Sequence, residues 1–265
     1  MNRVLIALFL LVGATAVWAQ GGVKKRRPLP AEYGRVVINN YSQQAGIPPV
    51  VFDHWSHRSK YTCRLCHVDI GFSMAADATK IRAVDNISGI YCGTCHNGKM
   101  MMNRSIIFPA CAKEYTREEY KTCVRCHQLE RNISQEEKFA SFAKSMPPEK
   151  FGNGINWEKA EREGHFKTID YIEGLSVTRV KMKIPTDRTL KAKLEGMPNV
   201  LFSHTKHSIW GGCELCHPEL FSIKKGRSVY SMDEIFEGKF CGACHNTVAF
   251  PLPDCRRCHT APVEG

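Results

Sequence analysis

The stretch "VFDHWSHRSKYTCRLCH", residues 51–67, sets three histidines and two cysteines within seventeen positions. It closes on Cys63-x-x-Cys66-His67. The same frame returns at Cys92/Cys95/His96, Cys123/Cys126/His127, Cys213/Cys216/His217, Cys241/Cys244/His245 and Cys255/Cys258/His259. Twelve of the thirteen cysteines fall in these six copies, and only Cys111 stands apart. An odd cysteine count ordinarily suggests disulfides with one thiol left over, but spacing this uniform argues for another use.

Two thiols three positions apart can each add to one vinyl group of a haem, while the histidine that follows is placed to ligate the iron. A zinc half-site or a redox dithiol explains a single CxxC. Neither requires histidine directly after the second cysteine, and here all six copies have it. The twelve cysteines are therefore read as attachment points for six covalent c-type haems (heme c). His67, His96, His127, His217, His245 and His259 are read as their proximal iron ligands.

The first nineteen residues fit that chemistry, because covalent haem attachment takes place outside the cytoplasm. Arg3, the apolar run "VLIALFLLVGATAV" and Val17-x-Ala19 read as an export signal, with the mature chain starting at Gln20. No later run approaches the ~20 apolar residues of a membrane span. The expectation is a periplasmic protein without a transmembrane segment. Aromatic residues make up 9% of the chain and long periodic apolar runs are few, so haems rather than side chains are expected to fill the interior. The apoprotein is then expected to be largely disordered.

Two halves of the chain repeat one frame. "VFDHWSH", "CRLCH" and "GIYCGTCHNGK" answer to "LFSHTKH", "CELCH" and "GKFCGACHNTV", and each half closes with a third motif, "CVRCH" or "CRRCH". His54 and His57 thus recur as His204 and His207. Two histidines three positions apart do not reach opposite faces of one iron, so each pair is read as serving two different haems.

The frame resembles the triheme c7-type cytochrome domain, a small relative of tetrahaem cytochrome c3 found in exported electron carriers of anaerobic and metal-reducing bacteria. The resemblance implies a mostly irregular fold with short helices and small strand pairs, built as two tandem triheme c7-like modules around covalent haems. It implies His54 as distal ligand to the first haem, His57 to the second, His204 to the fourth and His207 to the fifth. Small members of the family carry a further histidine before the second motif, where this chain has residues near Ser88 and Glu237. Met232 is the candidate second ligand for the sixth haem. His165 or a methionine of "KMMM" is the candidate for the third.

The division that follows is a signal at 1–19, a basic N-terminal extension at 20–50, module one at 51–127, a partly helical connector at 128–201 and module two at 202–265. In the connector, "SQEEKFASFAKSM" predicts a helix opened by a Ser134/Glu137 capping box and stopped by Pro147-Pro148. "NWEKAEREG" predicts a second, capped by Asn156 and ended at Gly164, and "VTRVKMKIP" has the alternation of a strand. Cys111 is a buried thiol, an intermolecular disulfide or a soft ligand.

The formal charge of +11 becomes +10 without Arg3. The two propionates on each of six haems bring the holoprotein to about −2, which removes the basic character that would suggest nucleic-acid binding. The expected role is electron transfer between redox proteins, such as quinol-oxidising and outer-membrane cytochromes. A multihaem reductase with an open iron at the third or sixth site, and a haem filament, are the alternatives. No acid, base or nucleophile is assigned, because haem carries the chemistry while the chain sets spacing and ligation.

Overall fold

In the computed structural model the chain is described for residues 28–102, 104–114, 121–128 and 133–262. The export signal and the "KKRR" cluster lie outside the described residues. Extended segments are short. Strand β1 (Arg35–Ile38) pairs antiparallel with β2 (Val50–Asp53), Arg35 opposite Asp53. Helix α1 (His54–Arg58) follows directly and carries the first histidine pair. The first motif then sits in the wide helical turn Leu65–Ile70.

Helix α2 (Ala83–Ile87) precedes the second motif, and the two-residue strands β3 (Met101–Met102) and β4 (Ser105–Ile106) form a hairpin after it. The connector supplies α3 (Ile133–Lys144) and α4 (Trp157–Arg162). The second half repeats the first with β5 (Arg188–Leu190), β6 (Asn199–Phe202), α5 (His204–Gly211), α6 (Met232–Phe236) and β7 (His259–Ala261), joined as one sheet in the order β5-β6-β7.

The repeat reaches further back than the motifs alone indicate. β1 stands to α1 as β5 stands to α5, so residues grouped by sequence with the extension and the connector take part in the two modules. Each module is closed by its third motif. The amide of Val51 donates to the Cys126 carbonyl at 2.8 Å and that of Gln128 to the Pro49 carbonyl at 3.0 Å, while in the second half Val200 pairs with His259.

Each second motif begins CysGly for a steric reason. A side chain at Gly93 would run into the Asn86 carbonyl, and one at Gly242 into the Ile235 carbonyl, so α2 and α6 rest directly on motif backbone. Just before, Tyr91 and Phe240 hold φ of 51° and 52°. That left-handed conformation is costly for a residue with a Cβ, and its recurrence marks a backbone imposed by the site.

The apolar core differs from the sequence expectation. It is built on the connector: Phe139, Ile155 and Trp157 are buried together with Ala31 of the extension and Trp55 of α1, and Phe142, Ala143, Met146 and Phe166 pack around them. A line of ring contacts runs from Trp55 to Phe142 (5.3 Å), Trp157 (6.0 Å), Phe166 (5.6 Å) and Trp210 (6.0 Å). It joins the helix bearing one histidine pair to the helix bearing the other. Elsewhere in the modules few apolar side chains are buried: Tyr61 and Leu65 in the first, Ile235 and Leu252 in the second.

Helix α4 follows its sequence prediction, with the Asn156 side chain accepting from the Lys159 amide. Helix α3 starts at Ile133, so Ser134 and Glu137 lie inside it rather than at its cap. "VTRVKMKIP" forms no strand. Its alternation has no partner edge to pair with, and Val180 is 88% exposed. Among the described residues no helix is long and apolar enough to cross a membrane.

Candidate metal centres

A histidine can bind a metal through Nε2 only if Nδ1 carries the proton, and a carbonyl acceptor fixes that tautomer because it can only accept. Nine histidines meet this condition. Nδ1 donates to a backbone carbonyl from His54 (Gly34, 2.6 Å), His67 (Phe72, 2.9 Å), His96 (Phe108, 3.1 Å), His127 (Pro48, 2.7 Å) and His204 (Thr186, 3.0 Å). The same bond runs from His207 (Ser203, 2.7 Å), His217 (Phe221, 2.6 Å), His245 (Phe250, 3.1 Å) and His259 (Pro198, 2.6 Å). In His57 the acceptor is Ser56 Oγ at 3.1 Å, which itself donates to the Asp53 carbonyl.

His165 is the exception among the eleven. Its Nε2, the atom a ligand would use, lies 3.5 Å from the Glu163 carboxylate. A role at the third site would require that contact to break. Met232 opens α6 with its side chain 45% exposed, and among the described residues it makes no hydrogen bond or ring contact with a motif histidine. His204 and His217 both have the fixed tautomer but do not meet as a ring pair among the described residues.

Three other pairs do meet. His54 and His67 lie with ring centres 6.4 Å apart, and His57/His96 and His207/His245 are each 6.2 Å apart. Two imidazoles on opposite faces of one metal, with bonds of about 2 Å, have ring centres roughly 6.3 Å apart. The gaps fit a single metal ion, and Phe52 packs between His54 and His57, as Phe202 does between His204 and His207, holding apart histidines of different sites. Among the described residues no group of three or more His, Cys, Asp or Glu converges as a tetrahedral zinc site requires.

Burial keeps the rings of three of these histidines neutral. It lowers His54 to about 4, His57 to about 3 and His245 to about 4, so all three are unprotonated and able to ligate at pH 7. The same desolvation raises the thiols of Cys66, Cys92 and Cys244 to about 12 and that of Cys241 to about 11. An uncharged sulfur is what these positions favour, and a thioether is uncharged. No disulfide joins any of the thirteen cysteines. The donor set and its spacing therefore fit haem.

Neighbouring thiols give the order of the sites. Cys66 lies within electrostatic reach of Cys92 and Cys95, and Cys92 of Cys126, so the first three motifs follow one another in space. Cys241 reaches both Cys216 and Cys258 in the second module. Cys244 and Cys216 each reach Cys63, which puts the first motif of one module against two motifs of the other. Arg179 ties this junction from the side. Its Nη2 meets the fully buried Asp69 carboxylate at 2.5 Å and its Nε meets Glu214 at 2.6 Å.

A recurring element secures each second site. Phe108 gives its carbonyl to His96 and lies 4.5 Å from that ring, while the Arg125 guanidinium of the third motif stacks on Phe108 at 3.8 Å. Phe250, His245 and Arg257 repeat the arrangement at 4.3 Å and 4.6 Å. Sequence reading missed these phenylalanines and every carbonyl acceptor. The repeated Phe-Pro at Phe108-Pro109 and Phe250-Pro251 was the available signal.

Fold and sites together define a multihaem c-type cytochrome, an electron-transfer protein. The family model for cytochrome c7 and related cytochrome c matches residues 50–135 and 200–260, and the chain belongs to that family. A solved c7-type three-heme cytochrome domain is 38% identical over 28% of this chain and 93% of its own length, at a TM-score of 0.26. The C-terminal hexaheme fragment of GSU1996 is 22% identical over 89% of this chain and 99% of its own, at 0.24. The N-terminal hexaheme fragment is 22% identical over 86% and 99%, at 0.25. No curated protein matches.

Proposed function

We propose that this chain holds six covalent haems in two triheme modules and carries single electrons between redox proteins in the periplasm. When bound, each haem supplies one reversible iron-centred electron acceptor. The chain itself does the rest. The paired cysteines anchor each site, and the motif histidines supply one axial nitrogen. His54, His57 and His207 face theirs from the opposite side, with His204 assigned by the repeat to the His217 site.

The observation that carries this reading is the pairing of Nδ1-anchored imidazoles at a one-metal separation. An iron held between two such histidines would be closed to substrate and would favour outer-sphere electron exchange. Spatial order along the thiols, from the third motif through the second and first into the other module, provides a continuous route with an end on each module. A donor of the quinol-oxidising type at one end and an outer-membrane acceptor at the other are the partners proposed. Met232 is proposed at the sixth site, and the third keeps only His127 as a firm ligand.

Haem counting tests the proposal directly. Intact mass and a pyridine haemochrome assay on protein matured in the periplasm should give six haem c per chain. A count that stays below six with all motifs intact overturns the six-site reading. Rapid, stoichiometric turnover of nitrite or a sulfur oxyanion would move the assignment from carrier to reductase.

A further inference from the structure

Arg58 follows His57 directly, yet it belongs to neither haem site by the repeat, for the equivalent residue in module two is Ser208. Its position is unusual for a cation. The guanidinium lies over the Trp157 ring at 4.6 Å and the Trp210 ring at 5.1 Å, one from the connector and one from α5. Nη1 donates to the Val248 carbonyl of module two at 2.5 Å, and Nε is buried with no partner. Among the described residues Arg58 forms no ion pair. The groups in electrostatic reach are Cys63 of the first motif, Cys244 of the fifth, Tyr33 and Glu161.

We propose that Arg58 tunes the two modules together: a fixed positive charge, sealed between two indoles at the junction, that raises the electron affinity of the site at Cys63/Cys66 and of the site at Cys241/Cys244. This rests on the six-haem reading above. A positive charge stabilises the more electron-rich state of any centre beside it, and does so strongly where water is excluded. Burying an unpaired guanidinium is costly, and neither packing nor the repeat calls for one here. One cation thus shifts both neighbouring centres in the same direction, while the repulsion between their own electrons is unchanged by it.

The test uses the fully matured protein and three variants, Arg58→Met, Arg58→Lys and Arg82→Met, the last at an exposed arginine of module one. Haem content is measured first, so that a count below six in the parent protein is recognised as failure of the underlying reading. Haem-methyl NMR signals are then followed through a redox titration. In Arg58→Met the centres at Cys63/Cys66 and Cys241/Cys244 should each lose about tenfold in their reduction equilibrium, ~59 mV to the negative for a one-electron couple. The other four should hold, Arg58→Lys should retain most of the parent potentials, and Arg82→Met should match the parent. Unchanged potentials in Arg58→Met overturn the proposal. So does an equal shift in Arg58→Lys, because packing rather than charge would then be responsible. If Arg58→Met fails to mature, the comparison of Arg58→Lys with Arg58→Gln decides on the same readout.

Discussion

The imidazoles of His54 and His67 face each other across 6.4 Å with their planes within 8° of parallel. One belongs to the helix after β2 and the other to the first motif. Between them lies the space of one metal ion and its two bonds. Replacing His54 by Ala, with the thioether links and His67 intact, should leave one five-coordinate iron per chain. Carbon monoxide added to the reduced protein should then bind at one additional site relative to the parent. The His57→Ala and His207→Ala variants should each do the same, at the second and fifth sites. If carbon monoxide binding is unchanged in all three, the assigned partners are wrong.

Protonation should release His54 and His57 only in strong acid. Burial lowers His54 to about 4 and His57 to about 3 from an ordinary value of 6.5. The neutral, ligating form thus persists as pH falls through 6.5, and coordination adds a further competitor to the proton. The low-spin signals of the first and second sites should be constant from pH 8 down to about 4, with high-spin conversion there only below that. A midpoint near 6 would show that the distal rings are solvated and not held as described.

Gly93 and Gly242 have no room for a methyl group, because the carbonyls of Asn86 and Ile235 occupy the space a Cβ would take. Backbone cannot yield as a side-chain tip can. Gly93→Ala should cost about 1–3 kcal/mol or more as overpacking and lower the melting temperature of the holoprotein. A similar loss is expected for Gly242→Ala, whereas alanine at Gly226, which meets nothing within 4 Å, should cost less.

Arg179 connects the modules through Asp69, whose carboxylate is 0% exposed, and through Glu214. Removing the cation leaves a buried carboxylate with only Arg64, at 3.7 Å. Loss of one partner from a buried pair costs about 3–5 kcal/mol. Arg179 is itself partly exposed, so Arg179→Gln should fall toward or below the lower figure, read as a drop in melting temperature. Asp69→Asn in the same background should recover part of the loss.

Covalent chemistry is the most legible part of this chain in sequence. A cysteine–cysteine–histidine frame must have fixed local spacing to attach a haem, so Cys63/Cys66/His67 and its five copies stand out without any knowledge of the fold. His54 and His57 were legible for a related reason, since their recurrence as His204 and His207 fixes them to a place in a repeat. The acceptors that set each tautomer were not. Gly34, Pro48, Thr186 and Pro198 act through backbone carbonyls, which carry no side-chain signature. The connector's core was hidden too, because Trp55, Phe142, Trp157, Phe166 and Trp210 come from segments far apart and form no periodic run. "VTRVKMKIP" erred in the opposite direction: alternation describes a strand only where another edge is available.

The ring planes themselves carry information that spacing does not. His54 and His67 are 8° from parallel, whereas His57 and His96 are twisted by 55° and their repeat, His207 and His245, by 60°. Parallel imidazoles lift the degeneracy of the iron orbitals that hold the unpaired electron of a low-spin ferric haem, and crossed imidazoles restore much of it. The oxidised protein should therefore display two kinds of magnetic centre, a rhombic one at the first site and strongly axial ones at the second and fifth. The hydrogen bonds from Nδ1, to backbone or in His57 to Ser56 Oγ, would thus fix the magnetic character of these three centres as well as the tautomer of their rings.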